Sequence, residues 1–152
     1  MPMNRKDYPK DWPAISLRIR ERAGWRCEWC GVKNGAVGAR DRNGNWHDED
    51  AIHHMHSDHG EALFGRYFPR MVRIILTVAH LGTPKPDGSR GNKHDKLDCR
   101  DENLAALCQR CHLNYDRADH LAVQAKNRRA RQRERIREEA ARVGQYFLLR
   151  ET

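Results

Sequence analysis

The sequence is poor in the residues that build a large apolar core. Only 38% of its 152 residues are hydrophobic, 7% are aromatic, and the mean hydropathy is -0.98. No run approaches the roughly 18 apolar residues that a membrane-spanning helix needs. A typical domain takes about 100 to 150 residues, so the composition predicts one modest domain with extensions. Its thin core needs a further source of stability, such as a bound metal.

The N-terminal stretch MPMNRKDYPKDW lacks the apolar segment of an export signal. The chain has five cysteines, an odd number. Without an export signal, cysteines spaced in pairs are more typical of metal ligands than of disulfides. We therefore predict a reducing, cytoplasmic setting and no association with membranes.

Acidic residues are outnumbered by basic ones. Lys and Arg total 29 against 21 Asp and Glu, which gives a net charge of +8 and a pI near 9.6. Release of counterions from phosphates gives such a protein a sequence-independent affinity for nucleic acid. The excess favours a nucleic-acid partner, and a basic solvated surface is the alternative.

Two cysteine pairs of the C-x-x-C form lie far apart, Cys27 with Cys30 and Cys108 with Cys111. Each pair supplies two thiolates from one tight turn, and four thiolates make a closed tetrahedral zinc site. We predict a structural Zn²⁺ on these four cysteines. The fifth, Cys99, is predicted to be a lone small buried side chain.

Helix and strand signals are clearest in three segments. Asp11, Trp12 and Pro13 resemble a cap and first turn, which predicts a helix up to Gly24. The β-branched run Met71–Leu81 predicts a strand, and Gly82–Cys99 predicts a long polar loop. Residues 32–69 are interpreted as an insertion with a short helix near residues 50–64.

The second cysteine pair lies in a run with helical spacing. Three- and four-residue intervals separate its apolar members, and Asp101 is a plausible N-cap, so we predict a helix there. His112 and Asp116 are four residues apart and would project from neighbouring turns of that helix. A second, very basic helix is predicted from Leu121 to Arg142.

The order of these motifs resembles the HNH endonuclease family, and more narrowly its small phage and bacterial members. The matching segments are CEWC, TVAHL and ENLAALCQRCHLNYD, between Trp25 and Asp116 with the insertion excluded. The resemblance implies an α+β fold, a small zinc-braced ββα-metal (His-Me finger) core with flanking helices. It places the nuclease domain at residues 25–120, after an N-terminal helical extension (1–24) and before a basic C-terminal helix (121–152).

The resemblance also implies a function, the metal-dependent hydrolysis of DNA phosphodiester bonds to 5′-phosphate and 3′-hydroxyl ends. His80 corresponds to the general base, a role suited to a group that titrates near neutrality. Asn103 corresponds to a residue that orients this imidazole or orders the metal site. His112 corresponds to a ligand of the catalytic divalent ion.

The ligand set of the catalytic ion departs from the family pattern in one place. Many members carry Asp or His directly before the base, where this chain has Ala79. The carboxylate of Asp116 suits the hard ions Mg²⁺ and Mn²⁺ and is a second candidate ligand. The loop offers His94 and Asp95 as further candidates, so it is expected to form a wall of the active site.

The basic helix supplies candidate contacts to DNA phosphates, most simply of double-stranded DNA. These residues are Lys126, Arg128, Arg129, Arg131 and Arg135. Such contacts give affinity without choice of sequence. The alternative is a solvated helix face or tail.

Two other functions remain open on sequence grounds. One is a catalytically inactive, zinc-stabilised DNA-binding module, which Ala79 favours. The other is a nuclease directed at RNA. A dense histidine cluster at residues 53–59 is interpreted as a solvated surface stretch, because its spacing fits no simple ligand geometry.

Overall fold

The computed structural model describes residues 5–55, 57–65 and 69–148. It is a mixed α+β structure with two small antiparallel sheets. The chain divides into two compact units, and the boundary falls between His112 and Leu113. The first unit carries both sheets, and the second is dominated by one long helix.

The predicted N-terminal helix is present as α1, Trp12–Arg22, with Pro13 in its first turn. It ends in a Schellman arrangement, since the amides of Gly24 and Trp25 donate to the carbonyls of Glu21 and Arg20. Trp12, Ile15 and Ile19 are buried and belong to the main apolar cluster. The helix is therefore part of the core of the first unit.

The first sheet has the strand order β2-β1-β3, with β1 at Val37–Arg40, β2 at Trp46–Asp48 and β3 at Val72–Arg73. All pairings are antiparallel, with Ala39 opposite His47 and Gly38 opposite Val72. Two short helices follow β2, α2 at Glu49–His53 and α3 at Ser57–Phe64. The segment interpreted as an insertion thus builds a sheet with a later strand of the core.

The second sheet pairs β4, Thr77–His80, with β5, Leu104–Leu107. Thr77 lies opposite Leu107 and His80 lies opposite Leu104. The connection between them is the predicted polar loop, which is irregular until a 3₁₀ turn at Asp101–Asn103. The main apolar cluster lies where α1 packs on this pair.

The prediction of one continuous strand from Met71 to Leu81 is wrong, because the segment forms two separate strands, β3 and β4. The run is divided between the two sheets, because β3 pairs with β1 and β4 pairs with β5. Between them the Leu76 amide donates to Asn34 Oδ1 and the Ile74 amide to the Ala36 carbonyl. The apolar composition predicted burial, but it did not reveal this change of partner.

The prediction of a helix from Asp101 is wrong in its first half. The segment forms a 3₁₀ turn and then β5, and helix α4 begins only at Gln109 and ends at Tyr115. All four residues of β5 are buried. A short apolar run buried on both sides has the same pattern in a helix and in a strand, so periodicity alone could not decide between them.

The predicted basic helix is present as α5, Arg117–Leu148, and is longer than the sequence suggested. Its described side chains are almost all exposed. Across the described ranges, no helix is both long enough and apolar enough to cross a membrane.

Candidate metal centre and the histidines around it

The two cysteine pairs converge in the structure. The sulfur atoms of Cys27, Cys30, Cys108 and Cys111 all lie within 4.8 Å of one another. A tetrahedral zinc ion with Zn–S bonds of about 2.3 Å requires sulfurs about 3.8 Å apart, and Cys30 Sγ lies 3.6 Å from Cys108 Sγ. The donor set and its spacing therefore suit structural Zn²⁺.

Backbone geometry brings the first pair into position. Cys27 donates its amide to the Val32 carbonyl and accepts from the Gly31 amide, which closes a tight turn. Gly31 has a φ of 72°, a conformation that glycine adopts without steric cost. We call residues 27–31 the first cysteine turn.

Glu28 ties the first cysteine turn to the strand that leads to the second pair. The Glu28 amide donates to the Ala106 carbonyl, and Glu28 Oε2 accepts from the Ala106 amide at 2.6 Å. Glu28 Oε1 accepts from Arg22 at 2.9 Å. This contact aligns the first turn with the end of β5, so Cys108 arrives beside Cys30.

Arg40 of β1 reaches the sulfur cluster from the first sheet. Its Nη2 lies 3.2 Å from Cys30 Sγ and 3.7 Å from Cys108 Sγ. A Zn(Cys)₄ group carries a net charge of about -2, so a guanidinium beside it offsets half of that charge. The sequence analysis did not predict a role for Arg40, because its position beside the sulfurs depends on how β1 pairs with its neighbouring strands.

The cysteines have different acidities in the metal-free chain. Burial alone would raise the pKa of Cys30, but hydrogen bonds from the Val32 backbone and from Arg40 lower it to about 6. Burial raises the pKa of Cys108 and of Cys111; hydrogen bonds with Cys111 partly oppose this at Cys108, and the Cys30 thiol adds to the rise in both. Four thiols so close together repel as thiolates, and a divalent cation relieves that repulsion.

His80 ends β4 and is buried, with only 5% of its surface exposed. Its ring stacks on Trp12 at 5.3 Å between centroids, and Tyr8 lies 5.9 Å away. Burial and the charge of Lys96 lower its pKa, while Asp98, Asp95 and a hydrogen bond to the Lys96 backbone partly oppose this. The imidazole is therefore neutral at pH 7.

One ring nitrogen of His80 stands out. Nε2 is buried and has no hydrogen-bond partner in the part of the chain that the structure describes. Buried polar atoms are satisfied in the great majority of cases, so each exception calls for an explanation, such as a ligand or a catalytic role.

Asn103 is fully buried and fastens the ends of the polar loop together. Its Oδ1 accepts from the Thr83 amide at 2.9 Å and from Thr83 Oγ1 at 3.2 Å, and its Nδ2 donates to the Asp98 carbonyl at 2.8 Å. The Asn103 carbonyl also accepts from the Leu81 amide, directly after His80. Its observed contacts thus position the chain on either side of the loop.

His112 lies on α4 and contacts β4. Its Nδ1 is 2.8 Å from Thr77 Oγ1, which also donates to the Leu107 carbonyl. A hydroxyl bonded to one ring nitrogen fixes the tautomer and orientation of an imidazole, as partners of metal-bound histidines do.

The two histidines contact opposite faces of β4. Side chains alternate along a strand, so Thr77 and Ala79 share one face and Val78 and His80 the other. His112 meets the face of Thr77, whereas His80 packs against Trp12 and Tyr8. The structure does not bring these two imidazoles together.

The other candidate ligands belong to no group of three or more metal-ligating side chains within the described ranges. Asp116 follows α4 in the second unit. His94 is an exposed loop residue whose amide donates to Asn92, and Asp95 pairs with Lys85 at 3.5 Å. Among the described residues, the sulfur quartet is the one group of three or more metal-ligating side chains close enough to hold an ion. The described residues around His112 include no further group of side chains that would hold Mg²⁺ or Mn²⁺.

The five basic candidates on α5 are all exposed. At 100° per residue, Arg128, Arg131 and Arg135 fall on one narrow stripe. Lys126 and Arg129 lie on other sides of the helix. The predicted cluster therefore resolves into one stripe of three arginines.

Comparison with known proteins gave no relative: no family model, no curated protein and no solved structure matches this chain.

We predict one zinc ion per chain, held by the quartet. Replacing Cys108 by Ser should remove the metal and lower the Tm by about 10 °C or more, because metal binding contributes directly to folding in a small core. Metal analysis by mass spectrometry and thermal unfolding measure both effects. Cys99→Ser is the matched control, since Cys99 lies outside the quartet, and loss of zinc from it would contradict the assignment.

We predict that Asn103→Ala costs about 2–4 kcal/mol of unfolding free energy, because it leaves the Asp98 carbonyl and the Thr83 amide without their partner. Urea denaturation measures the change. Asn114→Ala, at an exposed position on α4, should change stability by less than about 0.5 kcal/mol. Equal effects at the two positions would show that Asn103 does not fasten the loop.

Proposed function

We propose that this protein is a metal-dependent endonuclease of the HNH type that hydrolyses DNA. Three features support the proposal. The sulfur quartet suits the zinc ion of a cysteine-clamped frame, and His80, Asn103 and His112 follow one another on a strand, a loop end and a helix. The net charge of +8 suits a polyanionic substrate.

The observation that carries the proposal is the state of the His80 ring. It is neutral at pH 7, and the Lys96 backbone holds it by a hydrogen bond. Its Nε2 has no partner in the described structure. A general base must be unprotonated, oriented and ready to accept a proton, and this ring meets all three conditions.

In the proposed reaction, His80 Nε2 takes a proton from water. The oxygen of that water attacks phosphorus, the bond from phosphorus to the 3′ oxygen breaks, and the leaving oxygen takes up a proton from solvent. The products are 5′-phosphate and 3′-hydroxyl ends. Because Nε2 is buried, the substrate must displace neighbouring side chains of the N-terminal segment to reach it.

A divalent ion would supply charge stabilisation at the phosphate, with His112 as its protein ligand. The hydrogen bond between Thr77 Oγ1 and His112 Nδ1 orients that imidazole. Since no further ligands gather around His112 in the described structure, most of the coordination would come from water and from the substrate.

Helix α5 would contribute affinity. The stripe of Arg128, Arg131 and Arg135 is exposed and follows the helix for two turns. Contacts of this kind position a duplex without reading its sequence.

A second candidate function is a zinc-stabilised DNA-binding module without catalysis. Two observations favour it: His80 and His112 lie on opposite faces of β4, and Ala79 occupies the position before His80. The two functions predict the same binding and opposite outcomes in a cleavage assay.

We predict that the purified protein nicks supercoiled plasmid in the presence of Mg²⁺ or Mn²⁺. His80→Gln, which keeps a polar side chain of similar size beside Trp12, should slow nicking by about 10²- to 10⁴-fold, the usual contribution of a general base. Relaxed plasmid is resolved from supercoiled plasmid on agarose gels, and structured RNA in parallel reactions tests the alternative substrate.

The controls separate catalysis from folding. His120→Ala, at an exposed position of α5, should nick as the unmodified protein does. His112→Ala should lose nicking while retaining zinc and its Tm. Plasmid binding without nicking in either metal ion would favour the binding module and exclude the endonuclease.

We predict that nicking increases with pH on a limb below pH 6.5 and is level above it. The reason is that the pKa of His80 lies below its usual 6.5, and only the unprotonated ring accepts a proton. Stability should follow the same sign: the unfolded chain binds the proton more readily, so unfolding free energy falls as pH drops from 6.5 through the lowered pKa.

Denaturant unfolding of the unmodified protein and of His80→Gln at pH 7.5 and 5.5 checks the stability part. The stability advantage of the unmodified protein should shrink at the lower pH. An advantage that grows toward pH 5.5 would mean that the pKa of His80 is raised.

A further inference from the structure

Two tryptophans are exposed beside the metal centre. Trp25 precedes the first cysteine turn with 37% of its surface exposed, and Trp29, inside that turn, is 50% exposed. No other described aromatic side chain is exposed to this degree. Large aromatic side chains normally contribute to cores, and this chain has only 11 aromatic residues to build one.

The backbone at Trp25 is strained. Its φ is 55°, and it is the one residue other than glycine with a positive φ in the described structure. Bulky side chains rarely adopt this conformation, which costs free energy relative to glycine or asparagine. The Trp25 amide donates to Arg20, and its carbonyl accepts from Asn34, so both neighbours hold the strained conformation in place. Such strain is found most often at functional sites.

One basic side chain lies over an indole, and two more basic residues flank the first cysteine turn. The Arg20 guanidinium lies 5.7 Å from the centre of the Trp25 ring. Arg26 and Lys33 are both exposed, and their backbones form an isolated antiparallel β-bridge across the turn. Of the nearby acids, Glu28 is engaged by Arg22 and by the Ala106 amide. The surface therefore combines aromatic faces with the positive charges of Arg20, Arg26 and Lys33.

We propose that Trp25 and Trp29 bind a single-stranded segment of nucleic acid by stacking on its unpaired bases. Indole faces stack on any base, and adjacent arginines neutralise the phosphates between bases. A base within a duplex is already stacked on both faces and offers no free surface to an indole. The proposal rests on the proposed function in taking nucleic acid as the partner, and it adds a preference for substrates with unpaired nucleotides.

Binding is measured by fluorescence anisotropy with a labelled 20-nucleotide single strand and with the blunt duplex of the same sequence. The protein carries its zinc, and no Mg²⁺ or Mn²⁺ is added, so cleavage does not interfere. Trp29→Ala and Trp25→Asn, the latter suited to positive φ, should each weaken single-strand binding about tenfold. Their duplex binding should change less than about twofold.

Two further variants test the stacking itself. Trp29→Phe keeps an aromatic face and should restore most of the single-strand affinity. Leu97→Ala removes an apolar side chain that is 73% exposed elsewhere, and it should leave binding unchanged. Zinc content and Tm, measured for each variant, confirm that the sulfur quartet is intact.

The outcomes separate this inference from the proposed function. Suppose that the unmodified protein nicks plasmid and that the Trp variants bind single strands as tightly as it does. This result would overturn the stacking site and leave the proposed endonuclease intact. Trp-dependent single-strand binding without nicking would support the site and contradict the endonuclease. Equal losses on duplex and single strand, or no binding to single strands, would overturn the inference.

Discussion

The convergence of four cysteine sulfurs is the constraint on which the first unit depends. Cys30 and Cys108 are 78 positions apart, and their sulfur atoms are 3.6 Å apart. A chain with so few hydrophobic residues gains little from its core, so a zinc ion bound by these sulfurs would add a cross-link of this span and contribute a large share of the folding free energy. Glu28 and Arg40 extend that cross-link, one into β5 and the other into the first sheet. The segment that looked like an insertion is therefore joined to the metal centre.

The same convergence of the cysteine pairs determines where the histidines lie. β5 is held beside the first cysteine turn, β4 pairs with β5, and α4 begins directly after Cys108. His80 and His112 are consequently carried by neighbouring elements, although they contact different faces of β4. The proposed chemistry requires one bound phosphate group to come close to both imidazoles, although they contact different faces of β4. The unsatisfied Nε2 of His80 is an acceptor in the neutral ring, so it suits a donor such as the attacking water of the proposed reaction.

Several parts of the structure followed from local sequence. The helix α1 with its cap and stop signals, the long basic helix and the grouping of four cysteines into a possible metal site were all predicted, because each depends on residues close in sequence or on well-known ligand spacing. The division of Met71–Leu81 between two sheets and the strand at Leu104–Leu107 could not be predicted from the sequence, because they depend on pairing partners far along the chain. The contacts of Arg40 and Asn103 could not be predicted for the same reason. Arg40 reaches Cys30, 10 positions away, and Asn103 bonds to Thr83, 20 positions away.

Asn103 has a consequence for how proteins of this architecture can vary. Since one amide holds both Thr83 and Asp98, the stretch between them begins and ends at the same point of the core. Its length is thereby uncoupled from the strand pair, because the entropy of closing a loop grows only slowly with added residues. Lengthening or shortening at the turn between Lys85 and Ser89 would leave the Lys96 backbone in place beside His80 and would not shift β4 against β5. This stretch is the natural place for evolution, or an engineer, to graft new recognition elements.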